Sequence, residues 1–496
     1  MKRIAKHRNI KINPTFSEFF LLSEAGQWGA ADKIYKNMAK KSYYHASSED
    51  QDPAIANALW ELVHEIYWAH ENLLKWNDLV RDMYIKDAFK SIPERSVLFT
   101  GTDVGRFIIP LYRDSVGRKY PIVISLNALL SPAYLAYLDD TKCCELILPS
   151  KTIWQSMSDG IINDSKSKCP TNIAGMSKLS EFIQVMEINN LLSKWIFMTN
   201  RTSFTFFVDE GFILEWMYPY LRPSGIFMVL NTEPFSKLTA KEIEDDFKYW
   251  NHRIEALLRL NEFISCKEAR KTYSKLRTAI AGIYSYRGLV SESERALQQA
   301  LMLYPESPDA VFRLFHLYLI TLRFSDARKL IELSQNKLTS SQITSMTDNL
   351  RQYQALFSRQ NELEALANNG MSFENALELI GIYCKLNKED AFNGVVMAVL
   401  AKPIKSEGMD LLIQICDQYN KHDLLIEDCE KYVLLNKTDK NGWLNLAHAY
   451  LSNKDIEKTL MVLKRAKEIN GKEMQEMIDK DKRFNKLYRG SIGGQE

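Results

Sequence analysis

From about Thr239 onward the chain repeats itself, and this period limits the possible fold more than any other feature. The clearest copy comes last, with Trp443, Leu446, Ala447 and Tyr450 on one helix and Leu463 and Ala466 on the next. A shift of 34 positions toward the N-terminus finds Leu412, Ile413, Cys416 and Cys429 in the same places. Ile280, Ala281, Tyr284, Gly288, Leu297, Ala300 and Pro305 form an earlier copy, and Leu314, Tyr318, Ala327 and Ile331 continue its register. Ala376–Val399 holds a further copy with Tyr383 in the tyrosine place, and Gln342–Ala367 reads as one long helix that interrupts the period. A helix pair of this length cannot bury its apolar face alone, so stacked copies must supply one another's core. A tetratricopeptide-like helical array is the expected outcome.

Ahead of the repeats the pattern changes. Ser96–Thr100 runs into the turn Gly101-Thr102-Asp103, and Gly105-Arg106 opens a helix, the strand–turn–helix corner of an α/β unit. Pro121–Leu126 is a continuous apolar run, as a strand covered on both faces shows. Glu145–Pro149, Ser203–Val208 and Ile226–Leu230 are the remaining strand candidates. Lys151–Ser180 reads as loop with an irregular helix, and Leu179–Phe197 as regular helix. Strands alternating with helices predict a small, mostly parallel sheet. The fold class expected is thus α/β plus all-α. Residues 1–92 form a helical segment, 93–235 an α/β domain and 236–488 the repeats, with 489–496 a disordered, glycine-rich tail.

Composition removes several function classes. Sixty-four basic residues against 62 acidic ones leave a formal charge of +2, too small to attract nucleic acid or an anionic membrane broadly. No stretch is apolar enough to span a bilayer. The basic start Met1–Arg8 lacks the apolar run of a signal peptide, so the sequence predicts a cytoplasmic protein that reaches membranes only through a partner. The seven cysteines, among them the adjacent pair Cys143-Cys144, show no C-x-x-C spacing, and the eight histidines show no ligand spacing. Neither a metal nor a cofactor is expected.

Two places invite chemistry. At the first strand end, Thr102, Asp103 and Arg106 could receive an anionic group at a helix start, although the glycine spacing is neither a dinucleotide nor a P-loop pattern. The simpler reading is that Asp103 caps the helix that follows. Asp209-Glu210, at the end of another strand, would face the same cleft and complete an acid/base or sugar-phosphate site. The aromatic run Trp216–Leu221 and the tryptophans Trp60, Trp68 and Trp76 fit packing better than ligand stacking. In the array, Asn445 and His448 lie on the first helix of a pair, the layer that usually lines a concave binding surface for a protein or peptide partner.

Several of these stretches also carry a resemblance. Phe99–Phe107 (Phe-Thr-Gly-Thr-Asp-Val-Gly-Arg-Phe), Ile188–Phe197, Phe206–Gly225 with its Trp-Met-Tyr-Pro-Tyr-Leu block, and Ala269–Tyr284 resemble the soluble C-terminal region of bacterial, Verrucomicrobia-type membrane proteins similar to protein O-mannosyltransferases. In that group the position of Val104 is often proline. The membrane portion, which would carry sugar transfer, has no counterpart here, so the resemblance implies no transferase activity for these residues. It implies a companion domain and, as partner, a membrane-embedded glycosyltransferase-like protein.

The expectation is a non-enzymatic interaction or scaffold protein associated with a membrane glycosylation or envelope system. Two alternatives stand beside it: an α/β domain that binds or acts on an anionic or sugar-like small molecule, and a remnant of a longer membrane protein.

Overall fold

The structure is a computed structural model. It describes the chain except residues 43–49, 142–144, 169–173, 210–212, 368–370, 387, 403–405, 420, 454, 482 and 485–496. Residues 141, 160–168, 174–185, 367, 406 and 407 are described by backbone alone. Glu210, Cys143, Cys144, Cys169 and the 489–496 tail therefore lie outside the residues whose placement is described.

The chain divides into two compact units, Met1–Leu317 with Asn336–Leu338, and Tyr318–Gln335 with Thr339–Glu496. In the first unit, α1 (Lys2–Arg8), α2 (Pro14–Glu24), α3 (Trp28–Ala39), α4 (Ala58–Lys75) and α5 (Asp78–Ser91) precede the sheet. Asparagine side chains start several of them: Asn57 Oδ1 accepts from the Leu59 amide at 3.0 Å, satisfying a donor that the helix leaves unpaired.

Strand β1 (Ser96–Thr100) leads through a π-helical turn, Val104–Ile108, into α6 (Ile109–Ser115); then come β2 (Ile122–Ser125), α7 (Pro132–Thr141), α8 (Lys151–Lys168), α9 (Ala174–Asn200) and β3 (Thr205–Val208). A 3-10 turn, Glu215–Tyr220, precedes β4 (Leu221–Ser224) and β5 (Phe227–Leu230). The sheet order is β2-β1-β3-β5-β4. β1 pairs in parallel with β2 and β3, but β3–β5 and β5–β4 are antiparallel. The sheet is therefore mixed, not mostly parallel. The cause is local: Ser224 pairs with Phe227 across a two-residue turn whose Gly225 sits at φ 62°, leaving no room for a crossover helix. Pro223, which has no amide to donate, is confined to the edge strand β4.

Two further expectations fail here. Glu145–Pro149 is no strand. Its Ile147 amide donates to Asn200 Oδ1 and its carbonyl accepts from Asn200 Nδ2, both at 2.8 Å, so one side chain takes the place of a partner strand. Lys151–Ser180 is not irregular either: it contributes α8 and the start of α9.

The first unit continues through α10 (Ala240–Leu258), α11 (Asn261–Ser265), α12 (Lys267–Tyr286), α13 (Val290–Leu303) and most of α14 (Pro308–Ile320). Thr239 and Glu242 open α10 with a reciprocal capping box. These helices were expected to belong with the repeats and the first five with a segment of their own. Buried pairs explain the different grouping. Asp87 of α5 binds Arg253 of α10 and, at 3.0 Å, the Tyr273 hydroxyl of α12. Arg277 of α12 is fully buried between Phe247 and Trp250 and bonds Asp246 at 2.6 Å.

The second unit holds α15 (Phe324–Ser334), the long α16 (Ser340–Ala367), and three helix pairs: α17 (Phe373–Leu386) with α18 (Glu389–Leu400), α19 (Ser406–Gln418) with α20 (His422–Leu435), and α21 (Lys440–Ser452) with α22 (Ile456–Lys480). First helices begin at 373, 406 and 440 and second helices at 389, 422 and 456, steps of 33 and 34. α17 packs on α19 and α19 on α21, while α18 packs on α20. That is a two-layer helical solenoid. Its register residues Trp443, Leu446, Ala447, Tyr450, Leu463, Ala466, Leu412, Ile413, Cys416, Cys429 and Tyr383 are all buried. α22 bends at Gly471, whose φ of 63° suits only glycine without strain.

Candidate functional site

At the β1 corner the chain builds an anion cradle and then fills it itself. Asp209 leaves β3 at the level where its amide donates to the Phe99 carbonyl, at 3.1 Å. Its fully buried carboxylate accepts from the Gly101 amide at 3.2 Å and from the Thr102 hydroxyl at 2.7 Å. Thr102 Oγ1 in turn accepts from the Gly105 amide at 3.0 Å. A methyl group on Gly105 would lie 1.9 Å from Asp209 Oδ2 and 2.3 Å from Thr100 Oγ1, so the glycine makes room for the carboxylate. Burial, and after it the charges of Asp209 and Asp87, hold the Tyr84 phenol far above its usual range.

The candidates from sequence thus separate. Thr102 and Asp209 meet, but inside the protein. Asp103 is exposed and its side chain makes no capping bond to the turn that follows. Thr102 does that work instead, which corrects the capping role given to Asp103. Arg106 pairs with Glu61 of α4 at 3.1 Å.

Around Arg106 lies a second, open feature. Glu61 has no exposed surface, and burial pushes its carboxyl up to about 8, with the Glu65 charge raising it and Arg106 lowering it. Glu65, one turn further along α4, accepts from the Tyr137 hydroxyl of α7. Arg106 stacks beside Phe107 and Tyr134, 5.0 and 5.7 Å from their ring centres. Arg106, Glu65 and Tyr137 line one end of a 450 Å³ cavity between α4 and the π-turn with α6. Perturbed carboxyls in clefts mark functional sites more often than chance. Sequence reading missed Glu61 and Glu65; two carboxylates at i and i+4 within an apolar helix were the available signal.

The aromatic candidates are packing. Trp60 and Trp76 are buried, Trp68 donates to the Tyr35 hydroxyl at 2.9 Å, and Trp216 donates to Ser193 at 3.2 Å. Among the described residues no group of three or more His, Cys, Asp or Glu side chains is placed to hold a metal ion, and no helix is long and apolar enough to cross a membrane.

In the array, Asn445 and His448 are both buried. His448 Nε2 lies 2.9 Å from Asp410 and Nδ1 2.5 Å from Arg483, which Asp481 grips at 2.6 Å. Burial, then Arg483, lowers the imidazole to about 4, so it is neutral near pH 7. Phe484 beside this network is fully buried. As the chain stands, neither candidate is open to a partner.

No family model and no curated protein matches the chain. The resemblance to the O-mannosyltransferase-like membrane proteins, and a bacterial source, therefore find no support there. Among solved structures, a tetratricopeptide repeat protein from Parabacteroides merdae is 15% identical, with 49% of this chain and 98% of that one covered at a TM-score of 0.16. YrrB, a tetratricopeptide protein with an unusual peptide-binding site, is 12% identical over 46% and 95% at 0.15. The Cut9–Hcn1 hetero-tetramer of APC/C is 11% identical over 96% and 83% at 0.21. At TM-scores this low the likeness does not extend to the arrangement of the whole chain. The 33- and 34-residue steps and the two-layer packing of α17–α22 describe the array as tetratricopeptide-like on their own terms.

Proposed function

We propose that this is a non-catalytic interaction protein whose helical array holds another protein or a peptide. The layered packing of α17, α19 and α21 against one another is the observation that carries this reading, because stacked first helices create an extended surface that grows with each repeat. Leu411, 48% exposed on α19, is an apolar contact point on that layer. The narrower idea, a partner in a membrane glycosylation or envelope system, rests on the sequence resemblance alone.

Affinity capture with the full chain tests the proposal. A Leu411→Arg/Gln414→Arg variant should lose the captured protein, and a Leu434→Ser/Leu435→Ser variant on α20 should keep it. Equal retention by both variants, or no protein retained above background by the unaltered chain, would overturn it.

The second reading, small-molecule binding in the sheet unit, is favoured at Arg106 and not at Asp209. The Asp209 carboxylate already occupies the corner where an anion would sit.

A further inference from the structure

The cavity between α4 and α6 is a long, narrow slot. Leu62, Ile66, Ala69 and Leu73 recur at helical spacing and make one straight wall along α4, and Phe107 and Leu111 make the facing wall. From Leu62 to Leu73 an α-helix rises about 16 Å. Spread over that length, 450 Å³ leaves a channel about 6 Å wide, against about 10 Å for a helix with its side chains. A single hydrocarbon chain fits and a docked helix does not. Ile66 and Leu111 stand 37% and 43% exposed at the mouth, so a ligand can enter across an apolar lip.

The acidic and guanidinium groups that border the slot are already engaged within the fold. At one end Asp114 is held by Arg113 at 2.6 Å, and Arg113 also donates to the Pro121 carbonyl at 3.0 Å. At the other, Glu65 accepts from the Tyr137 hydroxyl, while Arg106 pairs with Glu61 at 3.1 Å and packs beside the Phe107 and Tyr134 rings. His70, which also borders the slot, lies flat on Trp28 with ring centres 3.6 Å apart. A chain that fills the slot puts its terminal group at one of these ends. A charged terminus would shed its hydration there and gain a counter-charge only by breaking a contact the protein already makes. The walls reward apolar surface alone. We infer that this slot binds an uncharged, unbranched hydrocarbon chain of about ten to twelve carbons, as in a long-chain alcohol, lying between α4 and α6.

Such a ligand class rests on the second reading above, small-molecule binding beside Arg106, and not on partner binding by the array. The slot makes three demands on what enters it. Length counts in favour, because each methylene added up to the length of the channel leaves water, which is worth about fourfold in affinity. Width counts against, because a channel this narrow turns away a compact cage of the same carbon number. Charge of either sign counts against, because neither end offers a counter-charge that is not already engaged.

Titration calorimetry of the full chain with hexanol, octanol, decanol, 1-adamantanol, decanoate and decyltrimethylammonium, the last two below their micellar concentrations, tests this. Decanol should bind one to one, and affinity should rise about fourfold per methylene from hexanol to decanol. Decanoate, decyltrimethylammonium and the ten-carbon cage of 1-adamantanol should each bind about tenfold more weakly than decanol, or weaker still. Leu111→Glu, which sets a charge on the lip, should weaken decanol by a similar factor, and Leu74→Glu, at an exposed position outside the slot, should leave it unchanged. Circular dichroism confirms that each variant is folded. Either charged compound or the cage bound as tightly as decanol would overturn the ligand class while leaving a small-molecule site. No heat with any of the six, or an unchanged decanol heat in folded Leu111→Glu, would overturn the site as well.

Discussion

The two units solve burial in different ways. In the first, buried acid–arginine pairs join residues far apart in sequence: Asp87 with Arg253 across 166 positions, Glu61 with Arg106 across 45, and Asp246 with Arg277 across 31. In the second, small side chains such as Ala447, Ala466, Cys416 and Cys429 let each helix settle on its neighbours. Buried ion pairs are costly to desolvate and add little net stability, but losing one partner strands a charge. Periodic apolar packing has no such all-or-none dependence, since each repeat depends mainly on the next. The sheet unit should therefore be intolerant at particular residues, and the array tolerant and graded.

The largest effect is expected at Arg277. Arg277→Met leaves Asp246 buried and should cost the first unit about 3–5 kcal/mol in chemical denaturation. The double variant Asp246→Asn/Arg277→Met should recover part of that loss. Next comes Gly105→Ala, whose new methyl meets the Asp209 carboxylate at 1.9 Å and should cost about 3 kcal/mol.

Acid–base titration should show opposite signs for Glu61 in the first unit and His448 in the second. Glu61 is held protonated to about pH 8 in the fold but releases its proton near 4.5 when unfolded, so its contribution is lost as pH rises from 4.5 to 8. His448 is held neutral down to about 4 but accepts a proton near 6.5 when unfolded, so its contribution is lost as pH falls from 6.5 to 4. Each slope should approach about 1.4 kcal/mol per pH unit. Glu61→Gln should flatten the first and His448→Gln the second. The smallest change belongs to the array. Gly394→Ala, on an exposed face of α18 with nothing within 4 Å of the new methyl, should stabilise by about 1 kcal/mol.

The array was the more legible unit, because its register is written in local spacing: Trp443, Tyr450 and Ala466 announce a helix pair without reference to distant residues. The sheet unit was legible only where a strand is continuously apolar, as in β1, β2 and β5. The mixed topology depends on a two-residue turn, and the fate of Glu145–Pro149 depends on the side chain of Asn200, 53 positions beyond Ile147. At the site, Thr102 and Asp209 could be paired from their places at strand ends. Glu61 could not, because nothing in its neighbourhood names Arg106 as its partner.

Native-state hydrogen exchange on the full chain, followed across low denaturant, tests the contrast between the units most directly. Amides of β1, β3, β5 and α12 should share one large opening free energy, and those of α17 to α22 should open in steps that differ from repeat to repeat. A single opening free energy across α17–α22, or graded opening through the sheet, would contradict it.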